Sequence, residues 1–193
     1  MTDLKSLSDV LIRYVLVPSA FGTLGIVWQE TEAGPRVRRI LLPSTQVPAQ
    51  DLVQATFPGA GPHSCPAVDD LRERMQCFLG GEPVGFELGL LALEQRAEFQ
   101  RRVLLAEFQV PRGWVTTYGR LARHVGVPGG ARAAGGALAH NPFPIVIPCH
   151  RAVRSDGHLG GFQGGLEMKR ALLELEGLEI SPTGAVLTDL FYY

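Results

Sequence analysis

Three short runs rich in β-branched and aromatic residues begin after the first ten residues of the chain. They occupy residues 11–17, 24–30 and 37–42, and the turn sequences Phe21-Gly22 and Ala33-Gly34-Pro35 separate them. The pattern predicts an antiparallel meander of three strands.

A helical pattern follows this meander. Apolar residues recur at helical spacing between residues 68 and 79, with Asp69 and Asp70 in the first turn and Gly80-Gly81 after the last. Residues 55–66 are rich in proline and glycine and are predicted to form a long loop, while residues 82–93 are predicted to join two domains.

The second half of the chain is mainly helical in pattern. Helices are predicted at residues 97–108, at 118–125 after the N-cap Thr117, at 131–139 and at 166–175. The second and third are joined by a short glycine-rich turn, which is typical of a helix-turn-helix. The predicted fold is an α/β N-terminal domain (a small antiparallel sheet plus a helix, residues 1–93), followed by a mainly α C-terminal domain with a helix-turn-helix (residues 94–193).

One cysteine follows a short apolar run. Val146 and Ile147 fit a buried strand that Pro148 ends, so the chain must turn and present the Cys149 sulfur at a fixed place. His150 supplies an adjacent base, and a helix N-terminus at the turn would also favour thiolate over thiol. The alternative is a small buried hydrophobe, which is how most free cysteines behave and how Cys65 and Cys77 are interpreted.

Composition is that of a compact intracellular protein. The chain has 193 residues, of which 46% are hydrophobic, and three cysteines without a CxxC pair. An odd cysteine count favours a reducing compartment, hence the cytoplasm, or the nucleus if the source is a eukaryote. The first residues lack a basic segment followed by an apolar core, and no apolar run is long enough to span a membrane, so no membrane association is expected.

Charge is unevenly distributed although the net charge is only -1. Residues 1–95 carry 7 Lys+Arg against 11 Asp+Glu, whereas residues 108–155 carry six arginines and no acid. The stretch predicts a basic face for a nucleic acid, with an ordinary solvated surface as the alternative. Within it, residues 131–139 hold almost no long polar side chain, so this helix could read little sequence and would bind through shape and phosphates.

Several motifs of the second half stand in a fixed order. Ile-Pro-Cys-His-Arg occupies residues 147–151, with Asn141-Pro142 before it and Gly-Gly-Phe-Gln-Gly-Gly after it at residues 160–165. Val-Thr-Thr-Tyr-Gly-Arg-Leu-Ala at residues 115–122, Ala-Arg-Ala-Ala-Gly-Gly-Ala at 131–137 and Lys-Arg-Ala-Leu-Leu-Glu-Leu-Glu-Gly at 169–177 complete the set. Together they resemble the O6-alkylguanine-DNA alkyltransferases, also called methylated-DNA–protein-cysteine methyltransferases. The resemblance covers residues 98–177 and depends on several matches rather than one.

The resemblance implies displacement at an alkyl carbon. The Cys149 thiolate would attack the alkyl group on O6 of a guanine that has rotated out of duplex DNA, with no metal and no cofactor. His150 would take the thiol proton through a water, Glu176 would orient His150, and Asn141 would hold the active-site turn. A glutamate near a helix end usually faces water, so only its spacing from Cys149 selects Glu176. The thioether has no route back to thiol, so each molecule would act once.

The resemblance also implies binding residues. Tyr118 would steer the target nucleotide, Lys169 would be a polar partner, and Phe143, Pro144 and Phe162 would line the guanine pocket. Many relatives carry tyrosine at the position of Phe162, so we expect an altered preference among alkyl groups. Arg132 would fill the vacated base stack, and the other expected DNA contacts are Ala131, Gly135, Gly136, Arg120, Arg123 and Arg151.

The expected partner is double-stranded DNA containing O6-alkylguanine, bound by a monomer. One alternative is a DNA-binding lesion sensor or regulator without transfer, although such relatives lack the cysteine that this chain keeps. Another is a cysteine hydrolase using Cys149 and His150, which would turn over and would give no reason for the arginines. His63 and Cys65 do not complete a set of four metal ligands, so no metal is expected.

Overall fold

The computed structural model describes residues 11–193, so the expectation about the first residues lies partly outside the described part. Strands β1 (Ile12–Val17), β2 (Leu24–Thr31) and β3 (Gly34–Leu41) are antiparallel neighbours, which confirms the meander. Between residues 11 and 193, no helix has the length and apolar character needed to cross a membrane.

The predicted loop at residues 55–66 is wrong in part. Helix α1 (Ala49–Thr56) includes the first two residues of this segment, and β4 (Gly61–Pro62) lies within it and pairs in parallel with β1. The sheet is therefore mixed, with the order β3-β2-β1-β4. Helix α1 has almost no apolar periodicity by which it could be predicted, because only Val53 of this short helix is buried. Helix α2 (Pro66–Leu79) buries the predicted apolar stripe.

The second half contains the predicted helices within about a residue at their ends. They are α3 (Glu98–Phe108), α4 (Tyr118–His124), α5 (Ala131–Ala139) and α6 (Gly165–Leu175). The Thr117 side chain accepts a hydrogen bond from the main-chain N–H of Arg120 and so caps α4. Gly126, at φ +77°, permits the sharp turn between α4 and α5 that makes the helix-turn-helix.

The prediction of a buried strand at Val146 and Ile147 is wrong. These residues are buried, but they form a turn in which the Ile147 N–H donates to the Phe143 carbonyl (2.9 Å), and Ile145 has a φ of +75°. A short apolar run fits a buried turn as well as a strand. A strand follows the cysteine instead: β6 (Ala152–Val153) pairs in parallel with β5 (Thr116–Thr117).

The N-terminal sheet is joined to the active-site segment. The Ile40 N–H of β3 donates to the Pro142 carbonyl (2.7 Å), and Val37 exchanges hydrogen bonds with Leu90 and Ala92 of the linker. One hydrophobic cluster contains buried residues from both halves of the chain. The domain boundary at residue 93 therefore stays a prediction. A hairpin of β7 (Glu179–Ile180) and β8 (Val186–Leu187) follows α6.

Arg112 connects the ends of α2 and α6. Its guanidinium donates to the main-chain carbonyls of Gly81, Glu82 and Leu175 and lies 5.6 Å from the centre of the Phe78 ring. Arg112 is thus a structural residue, although it belongs to the stretch from which the sequence predicted a basic face.

We expect Arg112→Ala to lower the free energy of unfolding by about 2 kcal/mol, because it leaves three carbonyls without a charged donor. For a chain of this size, the midpoint of thermal unfolding should fall by about 4 to 8 °C. Arg123→Ala, at an exposed position, is the control and should change the unfolding free energy by less than about 0.5 kcal/mol. Equal effects of the two substitutions would contradict this role.

Candidate active site

Cys149 begins a one-turn 3-10 helix, Cys149–Arg151, and its side chain reaches a cavity of about 580 Å³. Helix α5 contributes Gly135, Leu138 and Ala139 to the cavity wall, and the loop after β6 contributes Gly160, Gly161, Phe162 and Gln163. Only 5% of Cys149 is exposed. Within residues 11–193, the cavity is therefore the route by which a molecule can reach the sulfur.

Two buried side chains share the carboxylate of Glu176. His150 Nε2 lies 2.8 Å from Glu176 Oε1, and the Arg151 guanidinium donates to both carboxylate oxygens at 2.7 to 3.1 Å. His150 is fully buried and Glu176 is 7% exposed. The carboxylate thus fixes the orientation of the imidazole next to the cysteine.

The surroundings of His150 and Glu176 favour a neutral imidazole and an ionised carboxylate. Burial lowers the pKa of His150, against the opposing effect of Glu176. Burial alone would raise the pKa of Glu176, but His150 and Arg151 outweigh it and hold that pKa well below the ordinary value. An ionised Glu176 accepts the Nε2 proton of His150, which leaves Nδ1 as the free base; Nδ1 is buried and has no hydrogen-bond partner within residues 11–193.

The resting thiol is protonated, which corrects the expectation that its surroundings favour thiolate. Burial raises the pKa of Cys149 to about 12, although the Asn141 amide and the Lys169 charge act in the opposite direction. The 3-10 turn is too short to offer the helix N-terminus that the sequence suggested. Activation must therefore come from removal of the thiol proton.

Asn141 ties the active-site turn together. Its Nδ2 donates to the Ile147 carbonyl (3.0 Å) and to Cys149 Sγ (3.2 Å), while its Oδ1 accepts from the Phe143 N–H (3.0 Å). Its own carbonyl accepts from the Gln163 side chain (2.8 Å). One amide therefore fixes both the path of the turn and the place of the sulfur.

Lys169 and Tyr118 both contact the loop after β6, and the Lys169 ammonium lies 6.0 Å from the centre of the Tyr118 ring. The buried Lys169 ammonium donates to the carbonyls of Ala152, Leu159 and Gly161, so it holds this loop as well as contributing charge. Tyr118 lines the cavity, and burial raises its pKa to about 12, so its phenol stays protonated and can donate. A Cβ on Gly160 would lie 2.8 Å from the Tyr118 oxygen, so the close approach requires glycine there.

Only one of the three residues expected to line a base pocket lies in the cavity wall. Phe162 is part of the cavity wall, whereas Phe143 and Pro144 are buried and lie outside the lining residues. Phe143 belongs instead to the main hydrophobic cluster. The loop glycines and α5 take the place that we expected for these two residues.

Only part of the arginine-rich stretch faces solvent. Arg151 is buried against Glu176, which corrects the expected DNA contact. Arg120 donates to the Tyr193 main-chain oxygen (2.5 Å) and lies 5.1 Å from the Phe191 ring centre, so it is engaged within the protein. Arg123, Arg132 and Arg154 are exposed, the last beside Asp156.

The exposed face of α5 is made of small residues around Arg132. Gly136 is exposed, Ala131 is half-buried, and Gly135 packs on the Tyr118 ring, where a Cβ would lie 3.7 Å from it. Arg132 precedes Gly135 by three residues and Ala139 by seven, so helical spacing places all three on the face that borders the cavity. A duplex could approach this face closely.

The sequence interpretation missed one buried acid. Glu107 lies in the apolar stripe of α3 with Val103 and Leu104 and is fully buried. The sequence contains a signal for this burial, because Glu107 follows Leu104 by three residues and Val103 by four. Elsewhere in the described residues, no cluster of three or more His, Cys, Asp or Glu is arranged to hold a metal.

The comparisons with known proteins agree on one protein family. The family described as "6-O-methylguanine DNA methyltransferase, DNA binding domain" matches residues 98–178. The methylated-DNA–protein-cysteine methyltransferase of Methanothermobacter thermautotrophicus is 46% identical over 114 residues, which are 59% of this chain and 64% of that protein. The protein of the same name from Mycolicibacterium paratuberculosis is 42% identical over 61% of this chain and 69% of its own length. The matches thus span about two thirds of these relatives.

A solved structure extends the similarity to the first half of the chain. The crystal structure of Mycobacterium tuberculosis O6-methylguanine methyltransferase has a TM-score of 0.68 and 30% identity, covering 86% of this chain and 93% of that one. The same organism's protein in complex with DNA gives a TM-score of 0.67 at 30% identity, over 86% and 92% of the two chains.

Because the Cys149 thiol is protonated at rest, we expect its labelling by iodoacetamide to rise through about pH 9 without a plateau near neutrality. His150→Ala should slow labelling at about pH 7 by removing the adjacent base, whereas His140→Ala, at an exposed position on the same segment, should not. Peptide mass spectrometry separates Cys149 from Cys65 and Cys77. A rate plateau below about pH 7 would show a preformed thiolate and contradict this reading of the site.

Proposed function

Since this chain belongs to the methylated-DNA–protein-cysteine methyltransferase family, we propose that it repairs DNA by transferring the alkyl group of O6-alkylguanine to the sulfur of Cys149. The observation that carries the proposal is the position of Cys149 at the wall of the cavity, next in the chain to a buried imidazole that is held by the carboxylate of Glu176. Neither a metal nor a diffusible cofactor takes part in the proposed step.

The proposed reaction is a displacement at carbon. The thiol proton passes through a water to His150 Nδ1, the sulfur forms a bond to the alkyl carbon, and the bond from that carbon to O6 breaks. The electron pair of the broken bond stays on guanine, which finally takes up the proton. Glu176 stabilises the imidazolium while it carries that proton.

The departing guanine needs hydrogen-bond donors. The Tyr118 phenol lines the cavity and stays protonated, so it can donate to the base as negative charge develops. Lys169 contributes a positive charge from behind the loop, and its direct bonds go to carbonyls rather than into the cavity. Its proposed role is therefore to shape the loop and to attract the thiolate.

Single use follows from the product. Water does not cleave the carbon–sulfur bond of a thioether, because the Cys149 thiolate would have to leave from an unactivated alkyl carbon. Cys65 and Cys77, which belong to the N-terminal half, do not line the cavity and so do not offer a second thiol to accept the alkyl group. Each protein molecule therefore accepts one alkyl group. A cysteine hydrolase would instead form an acyl thioester, which water can cleave.

Access of a duplex base to the cavity requires rotation of the nucleotide. We propose that Arg132 fills the vacated stack, since it is exposed on the helix face that borders the cavity. The small residues Ala131, Gly135 and Gly136 allow α5 to approach the backbone, and Arg123 and Arg154 supply further positive charge. Few exposed cations imply a shallow dependence of binding on salt.

Phe162 stands where many members of the family carry tyrosine. Its ring lines the cavity and keeps the apolar contact, but it has no hydroxyl to bond to the base or the alkyl group. The proposed consequence is a change in preference among alkyl groups.

We expect incubation with excess O6-methylguanine duplex to add one methyl group to the protein and then stop. Intact mass and peptide mapping should find the added mass on Cys149, and Cys149→Ser should bind the duplex without removing methyl groups. Cys65→Ser is the matched control and should still accept one methyl group. Methyl removal that continues beyond about one equivalent per protein would favour turnover and reject the transferase proposal.

Arg132→Ala should separate rotation of the base from the chemistry. Repair of duplex O6-methylguanine should slow by about tenfold or more, while reaction with the free base O6-benzylguanine, which needs no rotation, should change little. Arg123→Ala removes an exposed charge from the neighbouring helix and should weaken duplex binding without lowering the transfer rate at saturating DNA. Equal slowing of both substrates by Arg132→Ala would mean that the arginine supports the fold or the site instead.

A further inference from the structure

Two aromatic rings lie against the imidazole of His150. The centre of the Phe78 ring is 6.1 Å from the centre of the imidazole, with 57° between the two planes, and the Phe162 ring is nearly perpendicular to the imidazole at 6.3 Å. Aromatic rings at these separations are in contact and attract each other. Phe162 belongs to the cavity wall, whereas Phe78 lies near the end of α2. The N-terminal half therefore contributes a side chain to the surroundings of the proposed base.

The hydrogen bond to Glu176 sets the direction of the imidazole through a single atom, Nε2 (2.8 Å). Rotation of the ring about its Cβ–Cγ bond is a soft motion, and it moves Nδ1 further than Nε2, which lies closer to that axis. Nδ1 is the atom proposed to take the thiol proton, and it has no hydrogen-bond partner in the described part of the chain. The position of the base atom therefore depends on the groups packed against the ring.

Phe78 is itself held firmly. It is 3% exposed and belongs to the main hydrophobic cluster. The Phe86 ring packs edge-on against it at 5.6 Å, and the Arg112 guanidinium lies 5.6 Å from its ring centre. A ring enclosed in this way cannot move aside without disturbing its neighbours, so it restricts the imidazole that it contacts.

Arg112 also connects the two groups that hold the imidazole. Its guanidinium donates to two main-chain carbonyls just after α2 and to the carbonyl of Leu175, the residue before Glu176. The helix end that carries Phe78 and the helix end that leads to Glu176 are thus bonded to one side chain. Ring packing and the carboxylate hydrogen bond therefore act on the imidazole from connected positions.

We propose that Phe78 is a positioning residue for alkyl transfer that acts through His150: its ring limits rotation of the imidazole and so keeps Nδ1 where the thiol proton can reach it. The inference rests on the proposed function in taking His150 as the base for Cys149. Phe78 lies outside the cavity wall, so its effect does not pass through contact with the guanine. The N-terminal half thereby takes part in the reaction.

The test compares iodoacetamide labelling of Cys149 in Phe78→Leu and in the native protein, from about pH 6.5 to about pH 9.5, with peptide mass as the readout. At the acid end, where His150 removes the thiol proton, we expect labelling to slow by about three- to tenfold, a part of what a general base contributes. Towards the alkaline end, hydroxide removes the proton and the ratio of the two rates should approach one.

Phe86→Leu is the matched control. It removes a ring that packs on Phe78 in the same cluster, and it leaves the ring that contacts His150 in place. Its labelling rate should stay close to the native rate at every pH. If Phe78→Leu does not fold, Phe78→Met, whose unbranched side chain fills irregular gaps but has no ring, should give the same dependence on pH.

A double-mutant cycle separates action through His150 from an independent effect. His150→Ala removes the base, so addition of Phe78→Leu to it should slow labelling at pH 7 by less than about twofold. An independent effect of Phe78 would instead multiply the two losses. With saturating O6-methylguanine duplex, Phe78→Leu should slow methyl transfer and leave the dissociation constant for DNA unchanged, because the residue lies outside the cavity wall.

Three results would overturn the inference: labelling of Phe78→Leu at the native rate at pH 7, a ratio that is the same at every pH, or losses that multiply in the double variant. Failure of the proposed function would look different. The labelling ratios and the double-mutant cycle would then be as expected, and neither Phe78→Leu nor the native protein would accept a methyl group from duplex DNA.

Discussion

A buried carboxylate stays ionised only where cations and hydrogen-bond donors surround it. Glu176 is such a carboxylate, and the active-site segments of the C-terminal half are arranged around it. Its partners come from separate parts of the chain: Arg151 and His150 from the turn after the cysteine, and the Gly113 N–H (3.4 Å) from the segment before β5. Removing Arg151 would leave the buried charge of Glu176 without its cation. Cys149 is the residue directly before His150, so the position of its sulfur depends on a charge that does not itself react.

The loops around the cavity are held by the same kind of interaction, with side chains bonded to main-chain carbonyls. The Asn141 amide organises the turn before the cysteine, and the Lys169 ammonium organises the loop after β6. Because both side chains are fully buried, their bonds are not weakened by water, and the cavity wall keeps its shape although it contains several glycines. A consequence of this arrangement is a thiol whose burial makes it a poor acid, so its proton must be removed before the sulfur can react.

Much of the fold and of the candidate site could be predicted from the sequence, and the exceptions have physical reasons. Helix positions and the identity of Cys149 and His150 followed from periodicity and from adjacent residues, which are local properties. The partner of each arginine could not be predicted, because a guanidinium can bind a phosphate, a carboxylate or a carbonyl equally well. Tertiary packing alone determines that Arg151 binds Glu176 and that Arg120 binds the main-chain oxygen of Tyr193. Glu107 was missed since a glutamate in a helix is assumed to face water, and α1 was missed since a helix with one buried residue has almost no apolar stripe.

The hydrogen bond from Ile40 to Pro142 has a consequence for solubility. Strand β3 is the outer strand of the N-terminal sheet, and an outer strand exposes N–H and C=O groups that can pair with another molecule. Here the linker covers this edge at Val37, and the segment that leads to the cysteine covers it at Ile40. The contact that supports the reactive turn therefore also removes a site at which two copies of the chain could join through their sheets.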